Sequence, residues 1–165
     1  YIPTLASSVT RSADVASVNT LSPWYNATEG TLFAEAVGLQ GQYPHLASPE
    51  TDSSNAIWTY AQESTSTTRT GNLDVVNGGA AQVGVNTAAG SSNIVKIAAA
   101  YKANDFAICL NSGTVATDTS GTVPAATKLQ IGTRTATQYW ANGCIRRIAY
   151  YPRRLTNAEL QSITS

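Results

Sequence analysis

The chain has no methionine, one histidine (His45) and two cysteines, and only 12% of its 165 residues are charged. Each scarcity excludes something. Ten basic residues against ten acidic ones leave no positive excess. That argues against nucleic-acid binding by counterion release and against electrostatic anchoring to an anionic membrane. No apolar run approaches the ~20 residues that a membrane-spanning helix needs. A single imidazole is too little for a zinc site or for a Ser–His catalytic scheme. There is no G-x-S-x-G, H-E-x-x-H or P-loop segment. Cys109 and Cys144 lie in the apolar runs AICL and GCIRRIAY. They read as two buried free thiols acting as small hydrophobes, with a disulfide across neighbouring strands as the other reading. With no methionine at its start, the chain reads as part of a longer protein.

What is abundant is Thr, Ser, Ala, Val, Asn and Gly, a composition that favours pleated sheet and turns over helix. Short alternating runs follow one another along the chain: a strand near Val15 to Val18, "TLFAEAVGL", a short one around Tyr43 to Leu46 within a turn-rich stretch, and "AIWTYAQ". In "AIWTYAQ", Ile57, Thr59 and Ala61 share one face, and Trp58, Tyr60 and Gln62 the other. "STTRTGNLDVVNGG" reads as two short strands broken at Gly71–Asn72, and "AAQVGVNT" as another. "IVKIAAAYKANDFAICLNSG" is a hairpin, with strands Ile94 to Tyr101 and Phe106 to Leu110 joined through Lys102-Ala103-Asn104-Asp105. "TVATDTS" and "KLQIGT" follow, then a polar loop "RTATQYWANG" and a strand from Cys144 to Tyr151, stopped by Pro152.

The chain then changes character. Thr156 and Glu159 have capping-box spacing, and Leu155 and Leu160 that of a hydrophobic staple, which predicts a short helix over 157–163. Roughly ten to twelve short strands with one terminal helix predict an all-β fold, an antiparallel two-sheet jelly-roll sandwich. Without amphipathic helices between strands, a parallel α/β fold is excluded. Residues 1–165 read as one domain, with a lead-in segment at 1–14 and the terminal helix within 156–163.

Several of these pieces, in this order, resemble the laminin-G-like, concanavalin-A-like jelly roll. The match runs through Lys96, Ala98, Tyr101, Asn111 and Gly113, then Ile131, Gly132, Trp140, Gly143, Ile145, Ile148, Tyr151, Arg153, Leu155, Thr156, Glu159 and Leu160. Two positions depart from the pattern: Ser112 separates Asn111 from Gly113, and Arg146 stands where many relatives carry Asp. The resemblance implies the jelly-roll fold, a helix that plugs one end of the sandwich, a buried Trp140 and a carbohydrate-binding activity. The family often binds calcium, for which Asp14, Asp105, Asn111 and Asp118 are the weak candidates. No cofactor is required. The opening "YIPT…VTRSADVAS" resembles a junction in bacteriophage virion proteins, where it leads into such a jelly roll at the C-terminal end of tail-fibre or tailspike chains.

The expected function is therefore a non-catalytic carbohydrate-binding module of a virion, recognising a polysaccharide or glycan on the host surface. Its expected partners are that glycan, other virion subunits and a second and third copy of itself in a trimer, and its place is the phage tail or capsid surface. One alternative is a structural virion module that stabilises tail or capsid by protein–protein contact. A glycoside hydrolase is the third. Glucanases of this sandwich carry paired carboxylates on one strand face, whereas Glu29, Glu35, Glu63 and Asp74 are scattered here. Sugar-binding candidates are the aromatic and hydrogen-bonding residues Trp24, Tyr25, Trp58, Tyr60, Arg134, Gln138 and Tyr139. Trp24 and Tyr25 serve equally as packed loop anchors, and Trp58 faces either the core or the open face of its sheet.

Overall fold

A computed structural model describes residues 16–91, 93–135 and 139–165. Twelve strands form two antiparallel sheets: β1 (Ala16–Val18), β2 (Glu29–Val37), β3 (His45–Asp52), β4 (Asn55–Thr65), β5 (Thr68–Asn77), β6 (Ala80–Asn86), β7 (Gly90–Ser91), β8 (Ile94–Lys102), β9 (Phe106–Leu110), β10 (Ala116–Asp118), β11 (Lys128–Ile131) and β12 (Cys144–Tyr151). One sheet has seven strands in the order β1-β11-β3-β4-β5-β6, with β7 also paired to β5; the other has five, in the order β10-β9-β8-β2-β12. A helix, α1 (Asn157–Ile163), closes the described chain.

Period-two alternation decides which side chains enter the space between the sheets. Leu46, Ile57, Ala61, Leu73, Val75 and Val83 from the seven-stranded sheet meet Ala34, Ala36, Val95, Ile97, Ala99, Tyr101, Phe106, Ile108 and Leu110 from the other. Both layers mix alanines with larger side chains, the bulkiest being Tyr101 and Phe106 of the five-stranded sheet. Gly71 lies in β5 against the second sheet: a Cβ there would lie 3.4 Å from Leu110 and 3.5 Å from Ile97, within ordinary van der Waals contact. The expected break at Gly71–Asn72 is absent. β5 runs unbroken through the glycine, paired with β4 and β6 on its two sides.

Two further expectations change. The turn-rich stretch around residues 44–52 is an inner strand, β3, with Pro49 paired opposite Leu129 of β11. Register shifts against β4 flank this part of β3, between His45 and Ala47 and between Glu50 and Asp52, which lets an inner strand tolerate a residue without an N–H. The terminal helix does not plug an end of the sandwich. Leu155 and Leu160 sit with Phe33, Ala98, Ala100, Ala107 and Cys109, the outward-facing residues of the five-stranded sheet. The small side chains of Ala98, Ala100, Ala107 and Cys109, beside Phe33, leave a shallow bed that needs an apolar cover. The capping box forms as expected: Glu159 donates its N–H to the Thr156 hydroxyl, and its carboxylate accepts from the Thr156 N–H. Arg153 adds two bonds to the same carboxylate, and together these hold Glu159 at a pKa of about 2.

Both cysteines are free thiols. Cys109 is buried, but Cys144 is exposed, because Ile145 and Ile148 take the inward positions at that end of β12. A register shift between Ile145 and Arg147 bulges this edge strand, and both Arg146 and Arg147 face solvent there.

Two substitutions test the packing. A Cβ on Gly30 would fall 2.5 Å from the Tyr101 hydroxyl and 2.7 Å from that of Tyr150. Gly30→Ala is expected to destabilise the fold by about 2 kcal/mol through overpacking, read from a urea transition. Glu50 is wholly buried on the outward face of β3; among the described residues its carboxylate has no hydrogen-bond donor and pairs with Lys128 Nζ at 3.6 Å. Lys128→Met strands that charge and is expected to destabilise by about 3 kcal/mol. An unchanged midpoint in either variant would contradict the packing described.

Candidate functional site

The core commits one face of β4 and β5, so the other face of the seven-stranded sheet carries what is left: Trp58 and Tyr60 on β4, Asn72 and Asp74 on β5. The bulge between His45 and Ala47 adds to this face. It sends Leu46 into the core while leaving His45 directly opposite Tyr60. The two rings stack with centroids 4.8 Å apart.

The loop after β11 supplies the remaining wall. Gly132, at φ +72°, turns the chain, and its backbone is pinned by bonds from Gly132 N–H to the Leu46 carbonyl and from Ala141 N–H to the Gly132 carbonyl. The His45 N–H donates to the Tyr139 carbonyl. Tyr139 itself has φ +55°, a conformation that bulky residues rarely hold. It directs the ring onto His45 (5.6 Å, stacked) and edge-on to Tyr43 (5.8 Å). Arg134 lies flat on Trp58, its guanidinium carbon 3.5 Å from the ring centroid, and 5.6 Å from the Tyr139 ring. Among the described residues that guanidinium makes no hydrogen bond to protein, and the two rings hold its π-face.

Together Tyr43, His45, Tyr60, Asp74, Arg134 and Tyr139 line an open pocket of about 270 Å³. Ligand pockets for small molecules begin at roughly 300 Å³, so the space suits a single ring-sized group. Burial pushes Asp74 up from its usual range, opposed by the hydroxyl of Tyr60, which donates to Oδ2 at 2.9 Å, and by Arg134. Tyr60 is raised in turn, by burial and then by the charge of Asp74. His45 is held at a pKa of about 3 by burial and then by Arg134, and so is neutral at physiological pH. Among the described residues, Asp74 is the one carboxylate of the pocket wall.

Of the residues singled out in the sequence, the structure brings Trp58, Tyr60, Arg134 and Tyr139 together. It places Trp24 and Tyr25 elsewhere. Trp24 meets Tyr150 edge-on at 5.2 Å, and Tyr25 stacks on Tyr150 and Tyr101. Gln138 and Asp14 lie outside the described residues. Trp140 is exposed rather than buried, because Ala141 takes the core position beside it. Asp105 pairs with Arg154 at 2.9 Å, Asp118 accepts from Ser120, and the Asn111 side chain is spent on the backbone of Lys96, Ser91 and Ile94. Among the described residues no group of three or more His, Cys, Asp or Glu is placed to hold a metal ion. Sequence reasoning missed Tyr43, His45 and Asp74. The alternation of β5 puts Asp74 on the Trp58 face, a signal within reach once the two strands are paired. Nothing in the sequence announces the bulge that turns His45 outward.

No protein-family model and no curated protein matches this sequence. Solved structures do match its backbone. The CBM40 domain of the Ruminococcus gnavus IT-sialidase, bound to α2,3 sialyllactose, superposes with a TM-score of 0.69 at 14% identity, over 85% of this chain and 84% of that one. A SAP-like pentraxin from Limulus polyphemus gives 0.65 at 12% identity, over 92% and 81%. Domains LG4-5 of the mouse laminin α1 chain give 0.62 at 12%, over 88% of this chain and 43% of that pair of domains. The fold is a concanavalin-A-like, two-sheet jelly roll. Within this jelly roll the pocket lies on the outer face of the seven-stranded sheet, opposite the face of the molecule that α1 covers.

The neutral imidazole gives a test of this geometry. Above pH 6.5 neither the unfolded nor the folded chain protonates His45. Below it only the unfolded chain does so, down to about 3. Stability is therefore full above pH 6.5 and falls as the pH drops toward 3. His45→Gln is expected to flatten this dependence between pH 6.5 and 4. As the chain has one histidine, its NMR imidazole signals are unambiguous and should keep their neutral positions down to pH 4; titration near 6.5 would show an open, solvated ring instead.

Proposed function

We propose that this chain is a non-catalytic carbohydrate-binding module that holds a sugar in the pocket on the outer face of its seven-stranded sheet. The observation that carries this reading is Arg134, laid on Trp58 with an N–H edge that no acceptor among the described residues uses, beside the exposed ring of Tyr139. A pyranose ring stacks on Tyr139 through its apolar face, and its hydroxyls reach Asp74. The guanidinium suits a carboxylate, which it grips in a two-point contact, so the preferred sugar is an acidic one. The structural neighbour that carries α2,3 sialyllactose lends support to that class. The finer setting, a virion protein gripping a host-surface glycan, rests on the resemblance of the opening segment to phage junctions.

The test is a glycan array of acidic and neutral oligosaccharides, followed by calorimetric titration of the best binder. Arg134→Gln is expected to weaken binding of an acidic glycan at least tenfold, and Tyr139→Ala to weaken acidic and neutral sugars alike. Trp24→Ala, in the separate aromatic cluster, should leave affinity unchanged. Absence of binding across the array, or loss with Trp24→Ala but not with Arg134→Gln, would overturn the reading.

A further inference from the structure

A second hollow adjoins the pocket. It has a volume of about 420 Å³, and its wall includes Trp58, Asp74, Val76, Ala81, Gln82 and Gly84. Asp74 belongs to both hollows, and Trp58 floors this one while supporting the Arg134 that lines the first. In register, Trp58 pairs with Asp74 and Asp74 with Gly84. The row therefore steps down across three strands, from indole to carboxylate to no side chain at all. Neighbouring strands are about 4.8 Å apart, which is the scale of one pyranose ring.

The two oxygens of Asp74 face different ways. Oδ2 takes the Tyr60 hydroxyl at the first pocket, while Oδ1 is turned toward Gly84, 3.8 Å from where a Cβ would stand there, and no donor among the described residues reaches it. The indole N–H of Trp58, which is only 4% exposed, also lacks an acceptor. Gly84 lies inside a strand, outside the left-handed region, with nothing tighter than that carboxylate oxygen around it. Neither backbone conformation nor packing requires a glycine at this position, and a glycine weakens a strand. A group approaching the strand from outside accounts for it.

From this we infer that the hollow at Gly84 is a second sugar subsite, so that the module recognises an acidic sugar together with the residue it is linked to, and Asp74 binds both. This rests on the first pocket being a sugar site. The acid-bearing ring sits at Arg134 and Tyr139; its neighbour lies over Gly84 and donates a hydroxyl to Asp74 Oδ1. The absent side chain sets the depth available to that second ring.

Calorimetric titration of the whole chain with N-acetylneuraminic acid and with sialyllactose tests this, alongside glucuronic acid and a hyaluronan tetrasaccharide. For at least one pair the oligosaccharide is expected to bind about tenfold tighter than its monosaccharide. Gly84→Leu fills the hollow without strain and should remove that gain while leaving the monosaccharide affinity as it was; Gly84→Ala should remove less of it. Amide NMR shifts at Val83 and Gly84 should respond to the oligosaccharide alone. Equal affinity for both members of each pair, or a gain that survives Gly84→Leu, overturns the second subsite while leaving the first pocket standing. Absence of binding by every probe removes both.

Discussion

Ile57 and Ala61 of β4 and Leu73 and Val75 of β5 have to face the five-stranded sheet, since only there is apolar cover for them. That burial is the constraint from which the site follows. With a side-chain period of two, Trp58, Tyr60 and Asp74 are sent to the opposite face whatever their chemistry. The core thus does more than hold the sheets together. It assembles an aromatic and acidic surface on strands flanked by neighbours on both sides, where backbone ladders fix the side-chain positions. A loop is then needed to supply only two further groups, Arg134 and Tyr139.

How this surface is stabilised sets its chemistry. A guanidinium stacked on Trp58 is anchored by its π-face, which leaves the donor edge unspent. Had Asp74 sat within ion-pair reach, the charge would be satisfied internally. Instead Asp74 takes the Tyr60 hydroxyl, and burial and Arg134 keep His45 neutral. The wall of the pocket thereby holds one cation, one carboxylate and neutral rings.

Much of the fold was legible from short-range patterning. The hairpin of β8 and β9, the strand β12 and the capped helix over 157–163 stand where spacing and turn residues place them. The failures share a cause, which is that long-range packing overrides local signals. Pro49 and its neighbours look like turn residues but lie within an inner strand between register shifts. Gly71 looks like a breaker and is a contact with the other sheet. The helix position depended on a bed of small residues from β8 and β9 that no local pattern reveals. For the site, the aromatic residues were visible as residue types, but their grouping was not, because it comes from register and from one bulge.

The edge strand β12 has a meaning beyond its place in the sheet. Its bulge between Ile145 and Arg147 breaks the regular row of free N–H and C=O groups that another strand would need. Arg146 and Arg147 add two like charges in succession at the same point. A second copy offering its own β12 would meet a kinked ladder beside Arg147 and an Arg146 paired with Glu35 at 3.6 Å, a poor match for edge-to-edge extension. The β12 edge of the five-stranded sheet is thereby guarded against growing into a fibre.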